Sequence, residues 1–204
     1  ALAMSEQTTA PSTSNMLVQA DAIRSAGCSD PLLLYGRGYC LGELERHEEA
    51  TSSMRMAHAA FEANPVYPYS RMVWASLRMA RIYFVGGGGR RNAEMDRLCE
   101  LNVRWLAESL LRGETRPGEE RIFLDQVFGN LSEWEKWGYS PEQLWLEFHR
   151  QTGGAGEAGQ WVRNIVLADY HVKAGWNARG TGYADEVTEE GWKLLRTHLQ
   201  AAAD

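Results

Sequence analysis

The sequence predicts an all-α fold, a single domain of about eight to ten helices joined by short loops into antiparallel, α-solenoid-like pairs. Three observations predict it. Apolar residues recur at steps of three and four along most of the chain. No stretch of useful length alternates with the period of two that a half-buried strand requires. Helix boundaries are spelled out repeatedly, as Ser, Asp, Asn or Thr caps, cap-plus-proline pairs and glycine stops.

Residues 5–14 are polar and without periodicity, which predicts a disordered tail over 1–14. Its first residues, Ala1 to Ala3, read as an added remnant ahead of Met4. Ser14 or Asn15 caps a first helix with the stripe Met16, Ala20 and Ile23, and Gly27 stops it. Asp30-Pro31 opens a second helix, because a cap carboxylate followed by proline satisfies the first-turn N–H groups. Leu34, Gly38 and Leu41 form its face. After a break at Glu45 to His47, a third helix carries Ala50, Met54, Ala57 and Phe61 and ends at Asn64-Pro65. Ser70 is expected to cap a fourth helix with Val73, Leu77, Ala80 and Phe84, broken by Gly86 to Gly89. Asn92 caps a fifth with Met95, Cys99, Val103, Leu106 and Leu110, ended by the Gly113 to Gly118 loop that contains Pro117. A sixth helix is expected over 119–128 and a separate short aromatic one over 132–137. Ser140-Pro141 repeats the cap-plus-proline signal, and Gly153-Gly154 ends that helix. A long helix follows with Trp161, Ile165, Ala168, Val172 and Trp176 as its expected buried stripe. Thr188 caps the last, which carries Trp192, Leu195 and Leu199 and folds back on its predecessor or meets a further helix. This places one helical domain over 15–204, with a repeat-like half at 15–112 and a C-terminal half at 119–204.

Composition narrows function chiefly by exclusion. A net charge of -6 argues against nucleic acid, whose phosphates demand a basic face. The longest apolar runs span a few residues where a membrane helix needs roughly 20. No basic segment precedes an apolar one at the start, so a cytoplasmic location is expected, with a leader removed upstream left open. Three cysteines, Cys28, Cys40 and Cys99, make an odd number. The first two lie roughly 15 Å apart along a helix and its cap, so all three read as reduced.

Leu34, Gly38, Leu41, Ala50, Met54 and Ala57 fall at offsets of 4, 3, 9, 4 and 3. Residues 31–65 thereby resemble a tetratricopeptide repeat, although Leu34 stands where tryptophan is usual and Glu45 where the turn glycine is usual. A second resemblance rests on Trp176, Ala178-Arg179-Gly180, Gly182-Tyr183-Ala184, Val187 and Glu190-Gly191-Trp192, with Ala26-Gly27-Cys28, Asp30-Pro31 and Tyr35 near the start. These residues are similar to a bacterial family known as domain of unknown function 4034. The resemblance implies a helical, repeat-like fold and no activity.

The turn from Trp176 to Trp192 is the strongest candidate site. Backbone N–H groups near Gly180 and Gly182 are able to form an anion nest, and Arg179 is able to grip a carboxylate. The structural reading is that the glycines make a sharp turn, Trp176, Tyr183 and Trp192 clamp the last two helices, and Arg179 pairs with Glu189 or Glu190. Trp176, Arg179, Tyr183, Glu190 and Trp192 are therefore the expected binding residues.

Other motifs carry less. Gly86 to Gly89 before Arg90-Arg91 lacks the Lys-Ser/Thr of a phosphate loop. The histidines His47, His58, His149, His171 and His198 show no i, i+4 pairing and no Glu or Asp three residues earlier, so no metal site and no cofactor are expected. No nucleophile motif occurs, and Cys99 lies on an apolar stripe. Trp134, Trp137, Tyr139, Trp145 and Phe148 are expected as core. The leading expectation is a protein- or peptide-interaction module with a neutral or basic partner. The alternatives are an all-helical enzyme using Arg179, Tyr183 and Glu190, or a structural part of a larger assembly docking through Trp192, Leu195 and Leu199.

Overall fold

A computed structural model describes residues 12–64, 67–114, 116 and 118–204. Every regular element among them is helical. The chain divides into two compact units, Ala1–Val66 and Tyr67–Asp204. The expected halves met at 112–119. The helices over 69–86 and 93–111 instead pack with the C-terminal ones.

In the first unit, α1 (Thr13–Ser25) begins under Ser12, whose hydroxyl accepts from the Asn15 N–H. It thus starts two residues before the expected cap, while residues 1–11 of the expected tail lie outside the described residues. Its buried positions are Leu17 and Ala20, and Met16 and Ile23 face outward. The expected stripe was one step off, because a helix this short and weakly amphipathic offers two nearly equal faces. Asp30 accepts from the N–H groups of Leu32 and Leu33 to launch α2 (Pro31–Glu43). Glu45 turns the chain at φ 59°, a left-handed conformation, into α3 (His47–Ala63). Asn64 caps that helix, and Pro65 lies outside the described residues. The α2–α3 seam buries Leu34, Leu41, Met54, Ala57 and Phe61. Gly38 lets the helices close, since a Cβ there would lie 3.0–3.2 Å from the Met54 side chain. The Ser53 hydroxyl donates to the Leu34 carbonyl across the seam at 2.9 Å.

In the second unit, α4 (Tyr69–Gly86) starts after Pro68, so Ser70 sits inside the helix and does not cap it. Proline there pre-sets the backbone, and Tyr69 N–H is taken by Glu114 at 2.9 Å. Asn92 caps α5 (Ala93–Leu111) as expected, accepting from Met95 N–H. A polar knot joins three helices in the core: the buried Asn102 amide nitrogen reaches the Val73 carbonyl, Ser76 hydroxyl and Asn130 side-chain oxygen at 2.9, 2.8 and 3.2 Å.

α6 (Glu120–Lys136) is continuous where two helices were expected. Gly129 in mid-helix costs about 1 kcal/mol relative to alanine. Burying Leu131 and Trp134 outweighs that, and Asn130 donates back to Gln126 C=O. Ser140 and Gln143 form a reciprocal cap, each accepting from the other's N–H, and start a π-helical turn (Glu142–Leu146) that runs into α7 (Glu147–Gln151). Trp134, Tyr139, Trp145 and Phe148 are buried as the sequence implies, and Trp137 of the same expected cluster is half-buried.

α8 (Glu157–Arg179) and α9 (Glu189–Ala203) form the last hairpin, so the final helix folds back on its predecessor. Thr188 caps α9 by accepting from Gly191 N–H. Of the expected stripe of α8, Trp161, Ile165 and Trp176 are exposed and Ala168 and Val172 half-buried. Gly159, Val162, Val166 and Tyr170 are buried instead. Small residues decide this: a Cβ on Gly159 would stand 2.7 Å from Ala155 Cβ, an approach that any larger residue forbids. Lys173 then pins the inner side. It pairs with Glu135 at 3.1 Å and lies over the Trp145 ring at 3.7 Å, while Trp145 Nε1 donates to Glu135 at 2.9 Å.

Candidate functional site

α8 is apolar on two sides, and the second is covered only in part: Trp161, Ile165 and Trp176 are exposed, whereas Ala168 and Val172 are half-buried. Its outward side carries Trp161, Ile165, Ala168, Val172 and Trp176 at steps of four, three, four and four. Trp161 is 46% exposed and Trp176 53%, with Ile165 also exposed. The stripe is about 22 Å long at the helical rise per residue. Tryptophan is costly to leave in contact with water, and two lie on this side of the helix.

Arg179 closes the stripe at its C-terminal end. Its guanidinium lies 5.4 Å from the Trp176 ring and 5.1 Å from the Trp192 ring, between an indole of α8 and one of α9. Its NH1 donates to the Gly180 carbonyl at 3.2 Å. The expected pairing with Glu189 or Glu190 is not made. Glu190 pairs with Lys193 at 3.7 Å. Gly180 adopts φ 80° and ψ 179°, which glycine alone adopts readily, and breaks α8 there. Tyr183 is 82% exposed, so the aromatic clamp consists of Trp176 and Trp192 around Arg179 without it. The Tyr183 N–H is taken by Glu186 at 2.8 Å. The structure thus joins three of the five expected residues, Trp176, Arg179 and Trp192. Tyr183 and Glu190 stand apart, and no contact links either to Arg179 among the described residues. Asp185, Glu186, Glu189 and Glu190 are all exposed in and after this turn, giving the end of the stripe an acidic border.

A cavity of about 600 Å³ opens beside α5, lined among others by Asp96, Cys99, Arg104, Tyr139, Glu142 and Glu147. At its edge Arg91 lies over the Tyr139 ring at 3.8 Å, donates to Asp96 at 2.9 Å and to Gly138 C=O at 3.0 Å. The Tyr139 hydroxyl donates to the same Asp96 oxygen at 2.8 Å. Those bonds hold the Asp96 carboxyl below the usual carboxylate range, Arg91 first and Tyr139 second. Burial, followed by the bond to Asp96, pushes the Tyr139 phenol up. Burial also raises the Cys99 thiol to about 12, so it stays protonated and is a poor nucleophile. The latch explains the Gly86 to Gly89 loop: its glycines bring Arg91 to the Gly138–Tyr139 turn. No spacing motif announces a latch whose members lie 43 and 47 residues apart.

A third cluster escaped sequence reading. His171 Nδ1 and His198 Nδ1 lie 3.1 Å apart across α8 and α9. Burial, then the charge of His198, lowers the proton affinity of His171. The signal was in the hairpin register. Gly175 faces Leu195 and Gly191 faces the Ala178 carbonyl, and the same antiparallel register sets His171 opposite His198. Among the described residues no group of three or more His, Cys, Asp or Glu is arranged to hold a metal, and no helix is long and apolar enough to cross a membrane. No family model, curated protein or solved structure matches the chain.

Proposed function

We propose that this chain is a protein-interaction module whose contact face is the outward side of α8, from Trp161 to Trp176, closed by Arg179 and Trp192. The observation that carries the reading is the second apolar side of α8, where Trp161, Ile165 and Trp176 are exposed and Ala168 and Val172 are half-buried. Spacing of four, three, four and four suits the apolar side of one partner helix. The acidic border after Gly180 and the net charge of -6 favour a partner that is basic beside its apolar side. A cytoplasmic location, kinship with the domain of unknown function 4034 family and a degenerate tetratricopeptide repeat at α2–α3 belong to the same proposal.

An enzyme built on Arg179, Tyr183 and Glu190 has less support, because Arg179 lies between Trp176 and Trp192, Glu190 pairs with Lys193, and the Tyr183 side chain stands out into solvent. Docking through α9 has less support too, because Leu195 is buried against α8.

The test compares wild type with Trp161→Glu/Ile165→Glu in capture of partners from the source organism, with far-UV circular dichroism and melting temperature as folding controls. Both substitutions fall on exposed side chains, so the melting temperature is expected to hold. The expected result is a basic partner retained by wild type, lost in the double variant, and released by added salt. Equal retention by a folded double variant would overturn the reading.

A further inference from the structure

The seam between α8 and α9 holds the two histidines in a fixed relation that the outward face does not use. Gly175 stands one turn beyond His171 on α8. A Cβ there would lie 3.1 Å from both His198 Cβ and Leu195 Cδ1, so the glycine is what lets the two backbones approach. Tyr170, buried, presents its ring edgewise to both imidazoles at centroid distances of 5.1 and 6.5 Å. The imidazole rings are inclined at 39° with centroids 5.4 Å apart. Both histidines are half-buried, so their positions are constrained while solvent reaches them.

Two imidazole nitrogens face each other only with a proton or a cation between their lone pairs. Two nitrogens bound at ~2.0–2.1 Å to one ion, with an angle near 100° between the bonds, are separated by about 3.1 Å. The observed separation has that value. We propose that His171 and His198 form a two-histidine chelate, bridging α8 and α9, for a divalent transition-metal ion of the zinc, copper or nickel class. Imidazole selects these ions over magnesium and calcium, which prefer oxygen. Water completes the coordination, leaving open positions on the ion.

Proton bookkeeping closes without a co-reactant. In the neutral pair one Nδ1 carries the shared proton. When the ion takes both Nδ1 lone pairs, that ring carries its N–H on Nε2 instead, and the net proton count of the neutral pair is unchanged.

The test is a Zn²⁺ titration of the full chain, without an affinity tag and in a Cys28→Ser background, since Cys28 is a partly exposed free thiol. Calorimetry and thermal melting are read together, with Mg²⁺ as the control ion. Expected are one equivalent of Zn²⁺, a Zn²⁺-dependent rise in melting temperature, and no response to Mg²⁺. His171→Ala and His198→Ala each lower the Zn²⁺ affinity by at least ~10-fold and abolish the rise, whereas His149→Ala keeps both. Where an alanine variant changes the circular dichroism, His198→Asn, which retains a polar partner for His171, is read in its place. Electron paramagnetic resonance of the Cu²⁺ form is expected to show two imidazole nitrogens in wild type and fewer in either variant. Absence of saturable binding below ~1 mM Zn²⁺, or equal affinity in folded His171 and His198 variants, overturns the chelate.

Discussion

The hairpins α2–α3 and α8–α9 solve the same packing problem with opposite materials. Each closes its seam over glycine, Gly38 in the first and Gly175 with Gly191 in the second. In α2–α3 the glycine, Gly38, meets the flexible end of Met54, and the seam around it is apolar and closed over Leu41, Ala57 and Phe61. In α8–α9 Gly175 meets the Cβ of His198 and the side chain of Leu195, and Leu195 is the large apolar residue of α9 that is buried. The turns differ in the reverse sense. Glu45 takes a left-handed conformation without being glycine, whereas Gly180 supplies the special backbone of the second turn. One hairpin therefore stores its stability in the seam and strain in the turn. The other has a relaxed turn and a thin seam with polar groups in it, which is where binding chemistry can sit.

The two units can be followed separately because all eight tryptophans lie at or after Trp74. Tryptophan fluorescence reports the second unit alone, while far-UV circular dichroism reports both. The largest expected effect is in the closed seam: Phe61→Ala costs about 3–5 kcal/mol, and Leu195→Ala about 2–3 kcal/mol because α9 is free to relax outward. Urea denaturation with both probes checks this. The contrast between the hairpins fails if Leu195→Ala proves the costlier change.

Next come the glycines. Gly175→Ala places a methyl 3.1 Å from His198 Cβ and Leu195 Cδ1 and 3.5 Å from the Leu195 carbonyl oxygen, and is expected to cost about 1–3 kcal/mol. Gly38→Ala meets a methionine that can re-pack, and the gain in helix propensity offsets most of the crowding, so the net change stays within about 1 kcal/mol. Equal destabilisation at the two sites would show that the opposing side chain does not decide the outcome.

The fold was readable where boundaries are local. The Asp30-Pro31 and Asn92 starts, the Thr188 cap and the Leu34, Met54 and Met95 faces depend on near neighbours in sequence, and the structure keeps them. The misreadings share another cause. α8 is apolar on two sides, so periodicity alone does not say which is buried. The answer lies in Leu110 of α5 meeting Gly159 of α8, beside Ala155 of the turn before it. Gly129 looked like a break because propensity is local, whereas the burial that overrides it is tertiary. In the candidate site, Trp176, Arg179 and Trp192 were visible as a dense local motif. The His171–His198 and Asp96–Tyr139 pairs span two elements each and leave no spacing pattern.

The turns give a smaller effect of opposite sign. Glu45→Gly is expected to stabilise the first unit by about 1 kcal/mol, because glycine adopts φ 59° without the Cβ clash that glutamate bears. Circular dichroism would then show a higher denaturation midpoint while the tryptophan transition stays in place. A loss of stability would mean that the Glu45 side chain contributes more than its backbone costs.

The smallest effect is a pH dependence of the second unit, set by His171 in the polar seam and His149 on α7. Burial first and His198 second lower the proton affinity of His171 below its ordinary value of 6.5, and burial, Arg163 and His171 do the same to His149. In the unfolded chain both histidines regain ordinary affinity, so below pH 6.5 the unfolded state binds more protons than the folded one. The stabilisation is therefore complete above 6.5 and is lost progressively as the pH falls from there towards the depressed folded values. Asp96 and Glu147, whose carboxyls are held low by Arg91 and Arg150, lose their contribution only at lower pH, outside a 5.5–7.5 window. Urea midpoints read by tryptophan fluorescence, with chelator present to keep metal away, are expected to fall between pH 7.5 and 5.5. His171→Gln removes one of the two depressed groups and relieves His149 of its charge, so the fall becomes shallower. An unchanged slope in that variant would place the pH sensitivity elsewhere in the second unit and leave the α8–α9 seam indifferent to its own protons.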